Sequence, residues 1–79
     1  MKWIKNDDMF RPYVSRIGPY FAYIRVGSSL QKYQWQAPFL ADLGLPFLGQ
    51  WKNSLEEAKQ DFKDIMTSFI KDVEEDLNS

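Results

Sequence analysis

Between residues 55 and 77 apolar side chains recur at three- and four-residue intervals: Leu55, Ala58, Phe62, Ile65, Met66, Phe69, Ile70, Val73 and Leu77. At about 100° per residue they cover an arc of roughly 140°, which marks an amphipathic helix with one apolar face. No Gly or Pro interrupts the run, so the spacing predicts about 23 helical residues, or roughly 35 Å of helix. Ser54-Leu55-Glu56-Glu57 supplies the start as a capping box. The Ser54 hydroxyl can accept from the Glu57 amide, and the Glu57 carboxylate can reach back to the Ser54 amide. The end is less favourable. Glu74, Glu75 and Asp76 put negative charge at the negative pole of the helix, at a cost of about a few tenths of a kcal/mol each.

Upstream the period changes. Tyr20-Phe21-Ala22-Tyr23-Ile24-Arg25-Val26 is rich in aromatic and β-branched residues, Gly27-Ser28-Ser29 breaks it, and Tyr33-Gln34-Trp35-Gln36-Ala37 alternates with period two. The pair predicts a hairpin with a loop of about six residues. Tyr13 to Ile17 reads as a third strand, joined to the hairpin through a tight turn at Gly18-Pro19. Trp3-Ile4-Lys5 supplies a short fourth.

Residues 39 to 51 are too broken by Gly and Pro for a long element and too apolar for an ordinary surface loop. Either this segment caps one end of the core, or its Leu and Phe residues form an exposed patch of the kind that marks an interaction site.

The pattern therefore predicts a single α+β domain over residues 1–79, with a sheet region at 1–52 and a C-terminal helix at 53–79. The architecture is an antiparallel three- to four-stranded meander with one long amphipathic helix packed across one face. If Ala22, Ile24 and Val26 face the helix with Tyr33, Trp35 and Ala37, then Phe21, Tyr23, Arg25, Gln34 and Gln36 lie on the open face.

Composition narrows the function. Seventy-nine residues build one core, and with no Cys and no His neither a disulfide nor an ordinary zinc site can reinforce it. The aromatic content is 16 %, thirteen rings in all, more than one helix and a small sheet easily hide. Part of that set is expected at an interface, where Trp and Tyr are enriched. Net charge is −1, but unevenly spread: residues 1–54 carry seven bases and three acids, whereas residues 55–79 carry three bases and eight acids. With no signal-peptide pattern and no apolar run of about 20 residues, the expectation is a cytoplasmic protein that does not enter the membrane.

No nucleophile–histidine pair and no phosphate-binding GxxxxGK loop is present, and the glycines are spread as turn punctuation. Adjacent acids at Asp7-Asp8 and Glu74-Glu75-Asp76 read as solvated surface, not as a Mg²⁺ or acid–base site. The expectation is a non-enzyme without cofactor or metal.

The order of hairpin, Gly-containing link and Ser54-Leu55-Glu56-Glu57-Ala58-Lys59 resembles, over about residues 20 to 62, the three-stranded-sheet-plus-helix domain that binds arm-type DNA sites in phage tyrosine integrases. That resemblance implies an open sheet face entering the major groove. The chain departs from the family in a sheet poor in Lys and Arg and in a longer, more acidic helix. In size and style it also resembles the small aromatic-rich α+β proteins that phages and other mobile elements encode to disable host machinery, anti-CRISPR and polymerase-inhibiting proteins among them. This second likeness implies inhibition by occlusion.

The leading expectation is a protein–protein interaction module, a phage-encoded inhibitor that occludes a host protein or nucleic-acid-handling complex with a basic surface. Phe21, Tyr23, Arg25, Phe47 and Trp51 would anchor the contact, and Glu56, Glu57, Asp61 and Asp64 would steer the partner. The alternative is a sheet-face DNA or RNA binder, with Arg25, Gln34 and Gln36 at base edges, Arg16 and Lys32 on phosphates, and Tyr23 stacking. A homo-oligomer formed through the open face or residues 39–51 would also use the surplus aromatics.

Overall fold

The computed structural model describes residues 2–28 and 30–79. Four strands follow one another, β1 (Trp3–Lys5), β2 (Tyr13–Ile17), β3 (Tyr20–Val26) and β4 (Tyr33–Gln36), then a 3₁₀ helix at Pro38–Leu43 and the helix α1 (Leu55–Leu77). Neighbours in sequence are antiparallel neighbours in the sheet, so the strands form the expected meander and the fold is α+β. At the β2–β3 turn Gly18 has φ 59. Proline, confined to negative φ, follows it, which is the sign pattern of a type II′ turn whose twist suits a hairpin. The β3–β4 loop is closed by the Gly27 N–H donating to the Lys32 carbonyl at 2.9 Å. Ser29, part of the break expected after β3, lies outside the described residues, as does Met1.

Register sorts the side chains. Ser15 pairs with Ala22, Tyr13 with Ile24, and Ile24 with Trp35. Residues directly opposite share a face, so these all point to the helix side. Ala22, Ile24, Trp35 and Ala37 are fully buried there with Ala58 and Phe62, and Leu40 and Met66 complete the core. Val26, expected to be covered on this face, pairs with Tyr33 as the last residue of β3 but is exposed. The Phe62 ring centre lies 5.1 Å from that of Trp35 and 5.9 Å from that of Trp3. A buried indole N–H needs an acceptor. Trp35 Nε1 donates to Asp61 Oδ2 at 2.7 Å, and Lys52 Nζ lies 3.9 Å from the other carboxylate oxygen.

After the 3₁₀ helix the chain returns along the outer edge of β4. The Ala37 N–H donates to the Phe47 carbonyl, the Gly49 N–H to the Trp35 carbonyl, and Tyr33 and Lys52 each donate to the other. Bridges join Gln36 to Leu48 and Tyr33 to Lys52. Three steps on β4 thus face four on the returning chain, which is a one-residue bulge. The edge is covered, removing one template for unwanted strand pairing. Residues 39–51 thus divide between the two alternatives, part packed on the core and part exposed. Leu40 enters the core and Phe39 stacks on Tyr20 with ring centres 4.8 Å apart, while Leu43, Phe47 and Leu48 stay exposed.

The helix starts at the expected cap, with the Ser54 hydroxyl accepting from the Glu57 N–H at 3.1 Å; the reciprocal bond from the Ser54 amide to the Glu57 carboxylate is not formed among the described residues. Its apolar arc, however, is only half used. Ala58, Phe62 and Met66 are buried and Phe69 is half-buried, but from Ile70 onward every residue is exposed. The cause is length. Twenty-three residues make about 34 Å of helix, whereas four strands span only about 15 Å from edge to edge. The last turns project beyond the body they pack on.

One core group is unsatisfied. Ser15 is 1 % exposed, and its hydroxyl has no hydrogen-bond partner among the described residues. A buried polar group without a partner forfeits its hydration, about 1–3 kcal/mol. Ser15→Ala is therefore expected to stabilise the domain by about 1 kcal/mol, raising Tm by about 4–8 °C. Thermal unfolding followed by circular dichroism checks this, and a lowered Tm would show that the hydroxyl is satisfied in solution.

Candidate functional site

The face of the sheet opposite α1 is built by the alternate residues of each strand. Pairing places Ile4, Val14, Tyr23 and Gln36 in one row, Arg16 beside Phe21 in the next, and Arg25 beside Gln34 in a third. Among the paired residues this face carries two arginines and no acid. Phe21 is 49 % exposed, and Ile4, Arg16 and Arg25 are exposed with it.

Two arginines lie over aromatic rings. The Arg11 guanidinium carbon is 4.3 Å from the Tyr23 ring centre, and that of Arg25 is 4.9 Å from the Trp51 ring centre. Each contact is worth about 0.5–1 kcal/mol when exposed. Gly27 makes the second possible, since a Cβ there would meet the Trp51 ring at 2.7 Å. The Gln34 amide is already engaged, with Nε2 donating to the Gly49 carbonyl at 2.7 Å. A depression lined by Phe10, Arg11, Arg25, Val26 and Gln36 sits between the two stacked arginines.

The link between β1 and β2 holds Arg11 in place. Asn6 Oδ1 accepts from the Asp8 N–H at 2.9 Å, and Asp8 Oδ1 accepts from the Phe10 N–H at 2.9 Å and the Arg11 N–H at 3.1 Å. The Asn6 N–H donates to the Pro12 carbonyl at 2.8 Å, closing the loop at its base. The Phe10 and Arg11 amides, with the Arg11 charge, hold the Asp8 carboxyl below its ordinary pKa. A group whose pKa is lowered in the fold contributes fully above its unfolded value and loses that contribution as pH falls through the folded one. The turn is therefore expected to stay intact on acidification past about pH 4, the unperturbed aspartate range, and to loosen only below it. The Phe10 and Arg11 amide shifts, followed by NMR, should report a midpoint below that of a free aspartate. A midpoint at or above it would remove the clamp.

The residues expected to form the site fall into two layers. Phe21, Tyr23, Arg25, Gln34 and Gln36 come together on the open face, and Trp51 joins them through Arg25. Phe47 is exposed in the chain returning along β4. Glu56, Glu57, Asp61 and Asp64 belong to α1, on the other side of the sheet. Asp61 is held by Trp35 and Lys52, and Asp64 accepts from Gln60 Nε2 at 2.8 Å, so neither carboxylate is idle. A partner touching both layers would have to wrap around the β4 edge. Arg11 and Phe10 were not expected at the site. Their signal lies in Asn6-Asp7-Asp8, a short polar run able to fold back on its own amides.

No protein-family model, no curated protein and no solved structure matches the chain. No group of three potential metal ligands occurs among the described residues, and no helix among them is long and apolar enough to cross a membrane.

Proposed function

We propose that the chain is a non-catalytic protein-interaction module whose contact surface is the open sheet face, acting as a small inhibitor that occludes a host protein. The observation that carries this reading is the arginine–aromatic cluster: Phe21 exposed beside Arg16, with Arg11 and Arg25 laid on Tyr23 and Trp51. Aromatic and Arg side chains dominate the energy of protein interfaces. Arginines already held on rings lose less freedom on binding than free ones. The acids of α1 sit on the opposite layer, where they shape the long-range field and the on-rate toward a basic region of the partner. Nucleic acid fits less well, because Gln34 is committed to Gly49 and the chain carries a net charge of −1.

The test is capture from a nuclease-treated host lysate with the wild-type chain and with Phe21→Ala/Arg25→Ala. Both side chains are exposed, so the variant should keep its fold. A protein retained at equal stoichiometry by the wild type is expected to bind the variant about 10–100-fold more weakly, the loss for one or two strong anchors. Equal recovery by both chains, or recovery of nucleic acid alone before nuclease treatment, would overturn the reading.

A further inference from the structure

The overhanging end of α1 is a second surface, separate from the open sheet face. Ile70 is 50 %, Val73 40 % and Leu77 79 % exposed, so the apolar arc that buries Phe62 and Met66 continues for two turns with nothing on it. At its inner end the stripe runs, through Phe69 and Val73 one turn apart, into a groove of about 190 Å³ between α1 and the segment after the 3₁₀ helix. Leu40, Leu45, Pro46, Ile65 and Phe69 line that groove, with Asp72 at its rim.

Charge says what can lie there. At ~100° per residue, Asp72 and Asp76 border the stripe on one side and Glu74 on the other, with Glu75 behind. The last turn holds no base, and Lys71, the base of the turn before it, lies at about 150° from the middle of the stripe, on the far side of the helix. A second copy laid tail to tail on this stripe would bring acids against acids in either orientation, and like charges in register are repulsive. The same acids oppose the helix's own negative pole, an arrangement unfavourable to the isolated chain. A cation placed along both margins removes both penalties.

We infer that the last two turns of α1 and the adjoining groove form a docking site for an amphipathic helix with basic margins, supplied by a partner protein. The apolar side of that helix covers Phe69, Ile70, Val73 and Leu77, and its Lys or Arg residues pair with Asp72, Glu74 and Asp76. The site does not depend on the open sheet face, and either can fail without the other.

The probe is a synthetic helical peptide of leucine and lysine with one apolar face, compared with a peptide of the same composition scrambled to destroy that face and with a leucine–glutamate counterpart. Backbone and methyl NMR of the full chain should show shifts confined to the α1 tail and the groove, on titration with the first peptide only. Binding should weaken at least tenfold in Ile70→Ser/Val73→Ser/Leu77→Ser, and also in Asp72→Lys/Glu74→Lys/Asp76→Lys. These residues are exposed, so an unchanged Tm serves as the control on folding. Equal binding of the scrambled peptide would show charge attraction without docking, and would overturn the proposal. Shifts on the sheet face, no shifts at all, or a concentration-dependent doubling of mass abolished by the triple serine variant would overturn it too, the last by assigning the stripe to a second copy.

Discussion

Phe62→Ala is expected to destabilise the domain by about 3–5 kcal/mol, the range for a fully buried aromatic cut to a methyl group. A chain of this length holds only about 4–12 kcal/mol in total, so the variant should be partly unfolded at room temperature or close to it. The site has little means of closing the void. Trp35 on one side is tied to Asp61, and Trp3 on the other belongs to a strand paired with β2. Urea denaturation should show a lowered midpoint with an unchanged slope. Val73→Ala, on the same apolar arc but beyond the sheet, is expected to change stability by no more than about 0.5 kcal/mol. Comparable losses at Phe62 and Val73 would mean that the helix is docked along its whole length and has no overhang in solution.

That contrast marks where the sequence stops being informative. Strand and helix boundaries follow from local features: the Gly18-Pro19 turn, the Ser54 cap, the period-two run Tyr33 to Gln36 and the uninterrupted arc of α1. Each is decided by a few neighbouring residues, so each is legible. How far the arc is used depends on the width of the sheet beneath it, and no residue of α1 encodes that width. The open face was legible in part. Alternation puts Phe21, Tyr23 and Arg25 on one side, but the stacking of Arg25 on Trp51 needs the chain to return along β4, a contact between residues 26 positions apart. The separation of the open-face residues from the acids of α1 was hidden for a related reason. Charge counted along a chain says nothing about which side of a sheet it ends on.

The returning segment that builds this face rests on Gly49, and Gly49→Ala is expected to cost about 3–5 kcal/mol, combining overpacking with loss of a buried hydrogen bond. A Cβ at this position would overlap Trp35 Nε1 and Cδ1. Trp35 is fully buried and its N–H is fixed on Asp61, so it has no free rotation with which to make room. The added methyl must therefore break the indole–carboxylate bond or lift residues 47–52 off β4. In the second case the Tyr33–Lys52 and Trp35–Gly49 backbone bonds go as well. Gly44→Ala is the control. Gly44 has φ 71 with open space around its Cα, so it should cost about 1 kcal/mol from backbone strain alone. The indole N–H resonance of Trp35, displaced by its carboxylate acceptor, should move in Gly49→Ala and stay in place in Gly44→Ala. If the Gly49 variant unfolds within about 1 kcal/mol of the wild type with that resonance unmoved, residues 47–52 do not lie on Trp35. The position of Trp51, and with it the Arg25–Trp51 contact beside the open sheet face, would then differ.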